Sequence, residues 1–287
     1  MTTAGRIAGV GLGLRWSFLE EVVLAAREPA SPLPVDFFEV SPENYMRRGG
    51  YVPAALDVVR ERFPILSHGL TLSIGSVDPL DVGYLEELRA FIERVGSPFH
   101  SDHLCFGGAG GRLVHDLLPM PFIEDSVHHV AARAEEVRDR LGTRLALENI
   151  TYYLHPGAAE MSEPEFLSAV VEEADVDLLL DVNNLYVNSV NFGFDAVSAL
   201  ARLPLDRVVA IHVAGHEHKP EHGRLIDTHG APTIDPVLDL LEQAVRVTGP
   251  VPVMLERDHD VPDLPVLLEE VARVRAAYDR GLSRRIP

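Results

Sequence analysis

Cysteine is nearly absent from this chain: Cys105 is the only one in 287 residues. No disulfide can form within the chain, which fits a reducing compartment, and any bound metal must be held by imidazole and carboxylate. Long apolar runs are missing too, none nearing the roughly 18 residues of a membrane span. The opening Met1-Thr2-Thr3-Ala4-Gly5-Arg6 lacks a basic stretch followed by an apolar one, so it reads as no signal peptide, and a cytoplasmic location is expected. Positive charge is scarce, with 25 Lys and Arg against 44 Asp and Glu and a formal net charge of −19. That balance repels phosphate backbones, and the one basic cluster is the short tail from Arg280 to Arg285, so nucleic acid is disfavoured as a substrate. No linker, low-complexity run or shift of composition divides the chain, and residues 1–287 are expected to form a single domain.

What the chain has in abundance is Val/Ile/Leu-rich runs of strand length separated by stretches of helical periodicity, the pattern of parallel strands buried on both faces. Eight such runs are read: Ile7 to Leu14, Asp36 to Val40, Ile65 to Leu70, Phe99 to Leu104, Arg144 to Asn149, Asp177 to Val182, Val208 to Val213 and Val251 to Glu256. Helices are expected over Ser17 to Arg27, Val52 to Arg62, Leu80 to Val95, Phe122 to Leu141, Glu163 to Glu173, Ala196 to Leu203, Pro236 to Thr248 and Leu264 to Arg280. Asp78-Pro79 and Asp235-Pro236 read as helix starts, and Ser162 with Glu165 reads as a capping box. Eight alternating strands and helices in this length predict an α/β fold, the (β/α)8 TIM barrel. Two βα loops exceed the usual length and are expected to act as lids: residues 105–121, with Gly107-Gly108-Ala109-Gly110-Gly111, and residues 214–235. The glycine run lacks the lysine and the immediate helix start of a phosphate loop.

Seven of the apolar runs end on a side chain able to bind metal: Glu39, His68, His103, Glu148, Asp181, His212 and Glu256. One histidine at a strand end is ordinarily a hydrogen-bonded structural residue. In a closed barrel, however, the strand C-termini converge on one mouth, and carboxylates crowded there repel and protonate unless cations lie between them. The loop after strand 7 adds His216, Asp227 and His229, whereas His218 and His222 lie among charged residues and read as solvated. So many donors exceed one ion's coordination sphere and predict two or three metals with carboxylate bridges. Nitrogen and oxygen donors without thiolate suit Fe, Mn or Zn better than Mg or Ca. Asp102 and Glu39 are read as second partners of the ligands or as substrate contacts, and Asn183 and Asn184 as substrate contacts or turn formers. Cys105 reads as a small core residue, and no Ser/His/Asp arrangement stands out.

Gly9-Val10-Gly11-Leu12-Gly13-Leu14-Arg15, Phe38-Glu39-Val40-Ser41-Pro42-Glu43-Asn44-Tyr45, Ser67-His68-Gly69, Leu72-Ser73-Ile74-Gly75-Ser76, Ser101-Asp102-His103-Leu104 and Leu147-Glu148-Asn149 occur in this order. Leu180-Asp181-Val182-Asn183-Asn184, His212-Val213-Ala214-Gly215-His216, Asp227-Thr228-His229 and Leu255-Glu256-Arg257-Asp258 follow them. Together, from Arg6 to about Asp260, they resemble the multinuclear non-haem iron-dependent oxidative enzymes, a family that includes the methanobactin biosynthesis oxidase and was long catalogued as a domain of unknown function. The resemblance implies a TIM barrel with two or three iron ions (Fe2+/Fe3+) that uses O2 to modify a ribosomally made precursor peptide, commonly at cysteine. It implies the ligands His68, His103, Glu148, Asp181, His212, His216, Asp227, His229 and Glu256. It also implies a separate partner protein that binds the leader peptide, since no such module is read in this chain. Two other classes compete: a metal-dependent barrel of the sugar-isomerase or AP-endonuclease type, and a non-catalytic peptide- or metal-binding module.

Overall fold

Strand-forming runs of Val, Leu and Ile assemble into a closed parallel barrel of eight strands: β1 (Gly9–Gly13), β2 (Phe38–Val40), β3 (Ile65–His68), β4 (Phe99–His103), β5 (Arg144–Glu148), β6 (Asp177–Asp181), β7 (Val208–Val213) and β8 (Pro252–Leu255). β1 closes the ring, pairing in parallel with β8 on one side and β2 on the other. The computed structural model describes residues 7–28, 32–155, 157–221 and 223–285. The reading of Met1 to Arg6, and His222, lie outside the described residues. Each strand falls within its expected run; β7 fills it and the others are shortened at one or both ends.

Helices α1 (Leu19–Arg27), α2 (Tyr51–Arg60), α3 (Val82–Val95), α4 (Glu124–Leu141), α5 (Glu163–Glu173), α6 (Val182–Phe192), α7 (Ala196–Leu200), α8 (Asp235–Thr248) and α9 (Leu264–Ser283) wrap the barrel. Their apolar stripes pack on the outer strand faces to form the main core. The Ser162 N–H donates to Glu165 at 2.8 Å in the expected capping box of α5. The third helix starts later than Asp78-Pro79 implied. Its cap is Asp81, whose carboxylate accepts the Tyr84 N–H at 3.0 Å, while Asp78 accepts the Gly110 and Gly111 N–H groups at 2.9 Å each.

Those two contacts also correct the reading of the long loops. Residues 105–121 contain an antiparallel hairpin, Phe106–Ala109 with Arg112–Leu118, whose Gly110-Gly111 tip takes positive φ values of 62° and 71° and is tied down by Asp78. A second hairpin, Glu217–Lys219 with Arg224–Ile226, lies in residues 214–235. The other unexpected element is α6, which starts directly on β6: Asp181 is at once the strand end and the helix cap, accepting the Asn184 N–H at 2.7 Å.

The lumen is filled in layers. Phe37, Leu66, Phe99, Ala146, Leu179, Ala210 and Met254, all close to fully buried, form a second apolar cluster inside the barrel. Because side chains alternate along a strand, the residues two positions onward point the same way. They are Glu39, His68, Ser101, Glu148, Asp181, His212 and Glu256, all buried. An apolar floor therefore lies directly beneath a polar layer. β1 contributes only glycine here, for a reason of space: a Cβ on Gly11 would lie 2.6 Å from the Phe37 ring.

Candidate metal centre

Alternation along the strands delivers the polar layer, and one further step along β4 adds His103. Four groups of three ligating side chains result, each with its donor atoms within 4.8 Å of one another: Glu39, His68 and His212; His68, His103 and Glu148; Glu148, Asp181 and His212; and Asp181, His229 and Glu256. His68, Glu148, His212 and Asp181 each belong to two groups.

The group of His68, His103 and Glu148 shows the geometry. His68 Nδ1 meets the Ser101 hydroxyl at 3.0 Å, which turns the other ring nitrogen toward the cluster. There His68 Nε2 lies 3.4 Å from His103 Nε2 and 3.4 Å from Glu148 Oε2, and His103 Nε2 lies 3.6 Å from Glu148 Oε2. Two imidazoles and a carboxylate at this spacing suit a shared ion with ligand bonds of about 2.0–2.2 Å. On the far side of the cluster, the Glu39 carboxylate faces His212 Nε2 at 3.0 Å, and His212 Nδ1 lies 3.2 Å from Glu256 and 3.5 Å from Glu148.

The protein alone leaves this cluster unsatisfied. Glu148 Oε2, Asp181 Oδ2, His212 Nδ1, His103 Nδ1 and His229 Nε2 are buried without a hydrogen-bond partner, an arrangement that normally costs about 1–3 kcal/mol per group. His229 Nε2 is 2.8 Å from Asp227 Oδ1 but is not aligned for a hydrogen bond. A cluster of orphaned donors on residues that all ligate metals fits bound cations.

Electrostatics point the same way. Burial drives the carboxyls of Glu39 and Asp181 above their ordinary range, with the Glu148 charge adding to the shift at Asp181. Burial with two neighbouring imidazoles, His103 and His212, drives His68 well down. For His103, His212 and His229 burial acts downward but the surrounding carboxylates outweigh it, so His103 is pushed up to about 9 and the other two rise well above the usual value. Glu256 goes the other way: burial would raise it, but His229, His212 and Arg15 hold it well below the carboxylate range. Without cations, the cluster holds its charge balance by keeping protons.

Of the nine expected ligands, His68, His103, Glu148, Asp181, His212, His229 and Glu256 lie in these groups, and Glu39, expected outside the ligand set, joins them. His216 and Asp227 fall outside. His216 Nδ1 is 2.7 Å from the Asn183 side-chain oxygen and its ring stacks on Tyr186 at 5.3 Å, while Asn183 also donates to Asp227 at 2.7 Å. Asn183 therefore links the two beside the cluster. Asp102 points away from the lumen and accepts the Leu72 N–H at 3.2 Å, and its 3.7 Å separation from His103 Nδ1 is too long for a hydrogen bond. Asn184 caps inward to the Asn149 carbonyl at 3.0 Å.

Four residues given no role on sequence grounds shape the site. Arg15 reaches over the mouth to Asp258 at 2.5 Å and Glu256 at 3.5 Å, setting one fixed cation against the acidic rim. Asn149 clamps the end of β6, accepting the Asp181 N–H and donating to its carbonyl, both at 2.9 Å. The Tyr153 hydroxyl accepts the Asp227 N–H at 2.9 Å, and Asp258 lies 3.2 Å from His229 Nδ1. Each belongs to a loop just beyond a strand end. That position was the available signal, but the contacts run between loops distant in sequence.

Similarity to known proteins agrees with this arrangement. Over 96% of its length the chain superposes on endonuclease IV from Thermus thermophilus, covering 99% of that protein (TM-score 0.54, 16% identity), and over 94% on the 3-keto-D-glucoside 4-epimerase of E. coli, covering 99% of it (TM-score 0.60, 16% identity). Likeness at this level of identity concerns the barrel alone. Closer in sequence are UPF0276 proteins from Shewanella amazonensis, 44% identical over 265 residues with 92% of each chain covered, and from Neisseria meningitidis serogroup B, 44% identical with 93% and 94% covered. Residues 9–279 match the RiPP precursor modification enzymes MbnB/TglH/ChrH, and the chain belongs to that family.

Proposed function

We propose that the protein is an O2-using oxidase that holds two or three iron ions and modifies a ribosomally synthesised peptide at cysteine. The observation that carries the multinuclear part is the sharing of His68, Glu148, Asp181 and His212 between overlapping donor groups, which gives more ligand positions than one ion uses. Iron, dioxygen and cysteine as the target come from the resemblance to the multinuclear iron-dependent oxidative enzymes, and membership of a RiPP precursor-modifying family supports the peptide substrate.

In this reading His68, His103, Glu148, Asp181, His212, His229 and Glu256 would hold the ions. Glu39 would either ligate or orient His212, and Asp227 lies 2.8 Å from His229 Nε2 on the outer side. The irons supply the redox chemistry with O2 and a binding point for the substrate sulfur. The chain's own part is orientation and exclusion of water. Ser101 fixes the tautomer and direction of His68, Asn149 locks the end of β6, and the apolar floor from Phe37 to Met254 keeps water from below. Asn183 holds His216 by Nδ1, so its other ring nitrogen is available to a substrate in the mouth. A separate protein presents the leader, leaving the barrel to position only the reacting residue.

Two measurements test this. Elemental analysis of anaerobically purified protein should find two or three irons per chain. Incubation with the precursor peptide encoded beside it, its partner, reductant and O2 should give a mass change on cysteine. A reproducible single zinc with iron-free turnover of a sugar or an abasic nucleic acid would replace this reading with that of the fold's other occupants.

A further inference from the structure

Beside the mouth, between the start of α5 and the ends of α6 and α7, lies a cavity of about 400 Å³ that the proposed chemistry does not use. Four of its wall residues are rings that close on one another. Phe122 lies 5.7 Å from Tyr152, Tyr152 4.7 Å from Phe192, Phe192 6.3 Å from His155 and His155 6.3 Å from Phe122, centroid to centroid. The planes are steeply inclined at three of these corners, 79°, 87° and 67°. These rings give one stretch of the cavity wall an aromatic lining, a surface on which organic cations can rest.

A carboxylate lines the same space. Glu163 accepts hydrogen bonds from the Tyr152 hydroxyl at 3.0 Å and from the Asn188 amide at 3.2 Å, both neutral donors. No described Lys, Arg or His forms an ion pair with it, although two arginines are close. Arg202 is engaged by Glu165 at 3.1 Å and the Ser162 hydroxyl at 3.0 Å, and Arg224 by the Tyr153 carbonyl, its guanidinium 5.8 Å from the Phe192 centroid. Burial pushes the Glu163 carboxyl up to about 7, as expected of an acid withdrawn from water without a countercharge. A half-buried acid beside these rings, with Arg202 of the same wall and nearby Arg224 already committed, lacks one component: a compact cation.

We propose that this cavity binds the ammonium group of a lysine side chain on the peptide substrate, with Glu163 as countercharge and Phe122, Tyr152, Phe192 and His155 as the surrounding walls. A slim alkyl stem suits the aromatic walls, and an ammonium is a compact point charge, whereas a guanidinium needs a planar fork of acceptors that Glu163, shared by Tyr152 and Asn188, and the other wall carboxylate Asp195, spent on the Ser198 N–H at 2.8 Å, do not offer. The cavity also lies within reach of the metal cluster. Tyr152 follows Glu148 by four residues, so their Cα atoms are at most about 14 Å apart. An extended peptide with its reacting residue in the mouth could therefore place a side chain about four positions away in this cavity. The occupant's identity as a substrate residue rests on the peptide reading above; the cavity's preference for an ammonium does not.

The test is direct binding to the full-length, metal-loaded protein, followed by NMR. The probes are Nα-acetyl-lysine N-methylamide and its neutral counterpart, Nα-acetyl-norleucine N-methylamide. The lysine probe should bind saturably, the norleucine probe should bind about tenfold more weakly or not at all, and Glu163→Gln and Phe192→Leu should each weaken lysine binding about tenfold. Equal binding of the two probes, unchanged lysine binding by Glu163→Gln, or no lysine binding would overturn the proposal. Metal content of Glu163→Gln should equal that of the wild type. A protein that binds lysine here but modifies no peptide would refute the peptide reading while leaving the cavity's chemistry standing.

Discussion

Stripping the metals should make the fold sensitive to alkali, by an amount that His103 lets one work out. In the metal-free cluster the carboxylates of Glu148 and Asp102 outweigh the effect of burial and hold its imidazolium up to about 9, against about 6.5 in an unfolded chain. A group whose folded value is raised contributes stability that is fully present below 6.5 and is lost as pH climbs through about 9. At about 1.4 kcal/mol per unit the loss is about 3 kcal/mol from His103. His212 and His229, also raised, act in the same direction, and the raised carboxyls of Glu39 and Asp181 add a cost as pH rises above the unfolded carboxylate range. With metal bound, the imidazoles are already deprotonated ligands, so the window closes. Urea denaturation of chelator-treated protein between pH 6 and 9 should thus show a falling midpoint, the metal-loaded protein should hold nearly level over this range, and reloading at pH 7 should release protons into a weakly buffered solution. Metal-free stability that stayed constant or rose from pH 6.5 to 9, or reloading without proton release, would refute the reasoning.

Glu148→Ala or Asp181→Ala should lose metal and turnover yet keep the native circular dichroism spectrum, because each substitution relieves repulsion in the emptied cluster; full iron content in either would place the centre elsewhere. Gly215→Ala would set a Cβ 1.9 Å from the Ala231 carbonyl oxygen, forcing the segment beyond His229 outward; thermal denaturation should show a loss of about 1–3 kcal/mol, with reduced metal content. Glu270→Ala leaves Arg257 buried without its partner, 3.1 Å away in the native fold, and should cost about 3–5 kcal/mol in chemical denaturation.

The barrel was legible because both sheet faces are apolar, so strands such as Leu178-Leu179-Leu180 stand out as unbroken runs, and the donor cluster because seven of the eight runs end on a side chain able to bind metal. What was hidden depended on local chemistry that mimics loops. Asn183 and Asn184 read as substrate contacts or turn formers, yet they lie buried in α6, an element not expected there, where Asn184 donates to the Asn149 carbonyl and Asn183 to Asp227. The hairpin at 106–118 was obscured by its glycines, since its tip is fixed by Asp78 from 32 residues away. The surroundings of Glu39 were hidden for a related reason. Spacing alone places it at a strand end, but only closure of β2 against β1 and β3 sets it facing His212 across the lumen.

Among the described residues, the apolar layer from Phe37 to Met254 closes the lumen beneath the polar layer. Under the proposed function, ions, dioxygen and peptide would enter from the strand C-terminal side, the small ions ahead of the bulky chain. A seated peptide would then seal in the metal beneath it. Metal exchange should consequently slow when substrate is bound, and a molecule that received its peptide before its full complement of ions would have to release it to be completed.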